Sequence, residues 1–124
     1  MLNTKSTLVA AIIVLATTMS SAVSAGAQPK GERITVTGEA VDMWCYLEGG
    51  DRGAAKKACA TACAKAGNAI GVIDAKGNLY LAAGLKDHQP AQALLVDRMN
   101  EPVTVTGTLV RKDGVQMIYI ESVR

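Results

Sequence analysis

The chain contains no phenylalanine, one tryptophan, three tyrosines and a single histidine. Surfaces that bind single-stranded nucleic acid stack bases on aromatics along a basic groove, and this sequence supplies neither in quantity. Lysine and arginine total 13 against 11 acids, and no block of like charge stands out. No electrostatic reason exists to expect nucleic acid or a membrane surface as partner. One histidine with no partnered carboxylates gives no acid–base pair for hydrolysis. The Gly-rich loop at residues 48–53 lacks the Gly-Lys-Ser/Thr ending of a phosphate-binding loop. Long hydrophobic runs are also missing. The longest, residues 8–16, has nine apolar residues, whereas a bilayer span needs about 20.

That run follows Lys5 and precedes small residues at 23–27, the layout of a secretory signal peptide. Residues 1–27 are therefore read as a cleaved signal and residues 28–124 as one small domain. Export to the periplasm or outside the cell is expected, with no stable membrane anchor. Removing Lys5 leaves a nearly neutral chain.

Strand signals dominate the remainder. Ile34 and Val36 alternate with Thr35 and Thr37, the period of a half-buried strand. Beyond Gly38 the apolar phase moves to Val41 and Met43, which predicts a bulge at the glycine and a strand continuing to an inward-facing Cys45. Helical propensity covers residues 54–66, with Asp51 as cap and Gly67 just past the end. Short strands at 69–74 and 78–83 flank a turn at Gly77. A second helix spans 90–99, and a last hairpin joins 103–111 to 115–123 through Asp113-Gly114.

The expected fold is mainly β with two helices: a five-stranded OB-fold-like barrel with a Cys-bearing helical insertion between strands 1 and 2. Thr35-Val36-Thr37-Gly38 is echoed by Thr104-Val105-Thr106-Gly107, each an alternation ending in a glycine where a barrel must bend. Through these segments the chain resembles small exported bacterial OB-fold-like proteins over nearly its whole mature length. The resemblance implies a barrel and no particular activity.

Chemistry concentrates in the insertion. All three cysteines, Cys45, Cys59 and Cys63, lie within nineteen positions. The spacing contains no Cys-x-x-Cys, which argues against a thioredoxin-type dithiol and haem attachment. Three sulfurs are one short of an all-cysteine iron–sulfur cluster. Cys59 and Cys63, four apart, share a helical face. With Cys45 they suit Cu(I), or Zn²⁺ with a fourth ligand, and His88 is the candidate fourth. Met43 is a further soft sulfur, and Trp44 and Tyr46 are expected to cover the inserted helix.

A non-catalytic metal-binding role is the first expectation. The rival is a disulfide joining Cys45 to Cys59 or Cys63, which would staple a binding module for another exported protein or a small ligand. A thiol redox enzyme using Cys59 near Lys56 is a third reading with less behind it.

Overall fold

The computed structural model describes residues 26–124, so the signal peptide expected at residues 1–27 lies almost wholly outside the described residues. Five strands close a barrel: β1 (Glu32–Asp42), β2 (Ile70–Asp74), β3 (Leu79–Gly84), β4 (Pro102–Lys112) and β5 (Val115–Val123). Around the barrel the order is β1-β2-β3-β5-β4. Every pairing is antiparallel except β3 with β5. Helices α1 (Met43–Gly49) and α2 (Lys57–Lys65), with a 3-10 turn at Ala54–Lys56, lie between β1 and β2. Helix α3 (Gln92–Leu95) and a 3-10 turn (Val96–Arg98) connect β3 to β4. The mainly β barrel is as expected, but the described residues form three α-helices where two are expected. Among the described residues no helix is long and apolar enough to cross a membrane.

The two Thr-Val-Thr segments turn out to be partners. Thr35 pairs with Thr106, Val36 with Val105 and Thr37 with Thr104. The threonine hydroxyls meet at 3.0 Å across both threonine pairs, while Val36 and Val105 are buried in the core. Cross-strand pairs of this kind hold register because a one-residue slip would exchange the buried and solvated faces.

β1 shows no slip at Gly38; its register runs unbroken from Glu32 to Asp42. Gly38 is where the strand passes from β4 to β2, being paired with both Val103 and Asp74. A Cβ there would lie 2.1 Å from the Ile73 carbonyl oxygen, so this close strand approach requires glycine. The irregularity sits instead between β4 and β5, at Thr106/Gly107. Asp113 and Gly114, with φ of 51° and 82°, close the last hairpin in two left-handed steps, the geometry that matches strand twist.

The core runs through the barrel from Val36, Val105 and Leu109 to a plug made by Leu95, Met99, Ala60 and Ala64. Ala60 and Ala64 are α2's buried pair, one residue on from the face that Cys59 and Cys63 share. Small side chains let the helix approach closely, and Cys59 and Cys63 consequently flank the buried stripe.

Polar contacts fasten the insertion. Glu39 of β1 accepts from the Arg52 guanidinium at 3.1 and 3.2 Å and from the Gly53 N–H at 2.6 Å. Asn100 Nδ2 donates to the Gly53 carbonyl at 3.2 Å. Glu101 pairs with Lys57 of α2 and with Arg98.

Lys57, more than any other neighbour, holds the Glu101 carboxyl below the usual carboxylate range. A depressed native pKa contributes stability that is present above the unfolded pKa and lost as pH falls through the native one. Acid should therefore loosen α2, and Glu101→Gln should flatten that part of the profile. Equilibrium unfolding measured between pH 3 and 6, roughly the range over which carboxylates titrate, checks this; identical profiles would refute it.

Candidate metal centre

The chain does not continue as a strand to Cys45. After Asp42 it turns into α1, a seven-residue helix with Asp42 as its N-cap. Asp42 Oδ1 accepts from the Cys45 N–H at 2.8 Å, satisfying a donor that a helix start leaves free. At the other end Gly50, with φ 73°, donates its N–H to the carbonyls of Cys45 and Tyr46, an αL cap suited to glycine. These caps override the alternation of Val41, Met43 and Cys45. Cys45 therefore stands half-buried on a helix at the barrel's end and not inside it.

The same change undoes the expected role of Trp44. It is 73 % exposed, and Leu47 on the same helix is 66 % exposed. Neither covers α2. Met43 instead lays its sulfur against Gly71 of β2, where an added Cβ would come within 2.5 Å of Met43 Sδ. That position packs Met43 on the sheet.

The three sulfurs converge. Cys45 Sγ lies 4.0 Å from Cys63 Sγ, and the Sγ atoms of Cys45, Cys59 and Cys63 are all within 4.8 Å of one another. All three are free thiols, with Cys59 exposed and the other two half-buried. Cys59 and Cys63 come together because they are one turn apart on α2. Cys45 joins them because α1 folds back beside α2.

His88 does not belong to this cluster. It sits on the connection from β3 to α3 with φ 57°, its side chain 91 % exposed and its Nδ1 3.1 Å from Asp87. An antiparallel meander takes its first and third strands out of the barrel at the same end, which fixes the end for His88 and not its position around the rim.

Asp42 was not anticipated as part of the site. It is 1 % exposed, and its Oδ2 has no hydrogen-bond partner. This carboxylate beside the Cys45 thiol, aided by burial and by Cys63, pushes the thiol up to about 12. Burial likewise raises Cys63. The signal available in sequence was an acid one step before a helix that closes on Gly49-Gly50. Lys56, paired with Asp51 at 3.1 Å, adds a cation near the cluster; Asp51 holds it above the ordinary lysine range, with smaller contributions from Cys59 and Cys45.

Asp42 thus has two separable roles, as cap and as charge. Asp42→Asn keeps a capping oxygen but removes the charge, so the Cys45 thiol should titrate nearer the ordinary range with the fold intact. Asp42→Ala should additionally cost about 1 kcal/mol, as lost N-caps do. Ultraviolet thiolate absorbance against pH, paired with denaturant unfolding, measures both. An unchanged Cys45 titration in Asp42→Asn would contradict the electrostatic role.

Chemically, three thiols in mutual contact range form a soft, electron-rich donor set. Comparison of the chain with protein-family models, with curated proteins and with solved structures finds no match.

Proposed function

We propose that this is an exported, periplasmic or secreted, non-catalytic protein that binds a soft metal ion through Cys45, Cys59 and Cys63, with Cu(I) ahead of Zn²⁺. The barrel is OB-fold-like: its five strands follow a 1-2-3-5-4 order with a helix between the third and fourth. It serves as the frame on which α1 and α2 meet.

The observation that carries the reading is the mutual approach of three sulfurs within 4.8 Å. A metal about 2.3 Å from each thiolate separates the sulfurs by about 4.0 Å in a trigonal plane and about 3.8 Å in a tetrahedron. The Cys45–Cys63 separation of 4.0 Å suits either, so the number of donors decides. No fourth His, Cys, Asp or Glu joins the three among the described residues. Three thiolates satisfy Cu(I), whereas structural Zn²⁺ sites are almost always four-coordinate.

One observation favours the rival staple. Cys45 and Cys63, eighteen residues apart, bring their sulfurs to 4.0 Å. A bond between them would tie α1 to α2 and contribute roughly 3 kcal/mol through the unfolded chain. It would also strand Cys59 as an exposed thiol, which an exported protein has reason to avoid.

The experiment is to isolate the mature protein without reductant, count its reactive thiols, and record its native mass before and after chelation. The expected result is one copper-sized increment and three thiols titrating once the metal is removed. Two locked sulfurs with no metal increment would overturn the proposal and leave the staple.

A further inference from the structure

The three sulfurs are not equivalent, and the difference has a direction. Cys45 and Cys63 are half-buried and 4.0 Å apart. Both are held by their backbones: the Cys45 N–H donates to Asp42, its carbonyl accepts from the cap residue Gly50, and the Cys63 carbonyl accepts from Asn68 N–H at 3.1 Å. Cys59 is exposed, a turn closer to the N-terminus of α2. A metal on the three sulfurs would be closed in on the Cys45–Cys63 side and open on the Cys59 side, with no further His, Cys, Asp or Glu in the cluster among the described residues. Sites that keep a coordination position open exchange ligands, whereas structural sites are closed.

We infer that Cys59 is the exchange ligand of this centre, and that the ion bound there is passed to or from a soft-donor acceptor, a thiol or thioether, by ligand exchange. This rests on the metal-binding reading and names what that binding is for: delivery and not storage. In the transfer step the acceptor sulfur bonds to Cu(I) as the bond from Cu(I) to Cys59 breaks. With a thiol acceptor, its proton passes to the departing Cys59 thiolate; with a thioether, which has no proton to give, Cys59 takes one from water. Copper stays Cu(I) throughout, so no oxidant or reductant is consumed. Cys45 and Cys63 hold the ion until a second acceptor sulfur replaces them.

The test uses the mature protein and its Cys45→Ser, Cys59→Ser and Cys63→Ser variants, each given one equivalent of Cu(I) anaerobically, with glutathione as the acceptor. Native mass spectrometry follows the copper. Cys59→Ser should retain its ion and form a one-to-one-to-one complex of protein, Cu(I) and glutathione, the exogenous thiol standing where Cys59 stood. Cys45→Ser and Cys63→Ser should surrender copper at glutathione concentrations at least ten-fold lower and form no such complex. For the unsubstituted protein, the rate of copper loss should rise with glutathione concentration.

A loss rate independent of glutathione, or three variants that behave alike, would overturn the exchange role while leaving metal binding intact. An unsubstituted protein that takes up no Cu(I) would overturn both. Cys59 is exposed, so its replacement should leave the fold unchanged. Alanine variants at Cys45 and Cys63 repeat the comparison if either serine variant fails to match the parent circular dichroism.

Discussion

Gly107→Ala is expected to destabilise the barrel by about 3 kcal/mol or more. A Cβ at this position would lie 2.1 Å from the Tyr119 carbonyl oxygen, 2.8 Å from its carbon and 3.0 Å from Ile120 Cα. All three are backbone atoms of the adjoining strand, so no side-chain rotation relieves the overlap. The residue also sits where β4 and β5 shift register, and opening that point would separate the two longest hairpin strands. Overpacking a well-fitted site costs about 1–3 kcal/mol, and more where backbone must move. Against a total stability of roughly 5–15 kcal/mol for a domain, a loss of about 3 kcal/mol removes about a fifth to three fifths of the whole.

Gly50→Ala provides the contrast, because its φ is 73° but nothing lies within 4 Å of the added Cβ. Its cost should stay near the 1–2 kcal/mol of a left-handed backbone. Denaturant midpoints of the two variants should therefore differ clearly. If they fall together, close strand approach at Gly107 is not what constrains the barrel.

Cys63→Ser is expected to reduce Cu(I) affinity by more than about 100-fold, exceeding what loss of an outer-shell partner does to a metal site. Serine oxygen is a hard donor and does not replace a thiolate for Cu(I). Competition with a coloured Cu(I) chelator measures the change. A pH series adds an independent check. The Cys45 thiol is pushed up to about 12 and Cys63 is also raised, so a metal binding at neutral pH must displace their protons. Affinity should climb with pH, by up to about tenfold per unit for each proton released. Copper affinity unaltered by Cys63→Ser, with a thermal midpoint that falls only in the absence of reductant, would point to the staple.

The two Thr-Val-Thr-Gly segments show how much local pattern conveyed. Strict alternation at 34–37 and 103–106 identified half-buried strands, and the strands found at Glu32–Asp42 and Pro102–Lys112 contain them. The glycine after each is a place of constraint, but the bulge expected at Gly38 is absent and the kind of constraint is not legible in the pattern. Gly38 marks a change of partner strand and Gly107 a register shift, and both depend on which strand lies alongside. The convergence of Cys59 and Cys63 followed from the 3.6-residue period alone.

Cys45 is where local reading failed. Val41, Met43 and Cys45 alternate as a strand would, yet capping by Asp42 and Gly50 makes a helix of residues 43–49. Trp44 and Leu47, which in a strand extension would have opposite facing, are both left exposed on that helix.

The sequence by itself determined the five strands, the helical pair of cysteines and the soft, three-sulfur character of the candidate site, because each depends on neighbours within a turn or a strand length. Only the tertiary structure decided that Cys45 reaches the other two, that Asp42 is buried beside it, and that His88 stands apart. Those outcomes depend on how α1 folds back against α2 and on where each connection leaves the barrel's rim. Such placements arise from contacts between residues far apart in the chain, and periodicity carries no record of them.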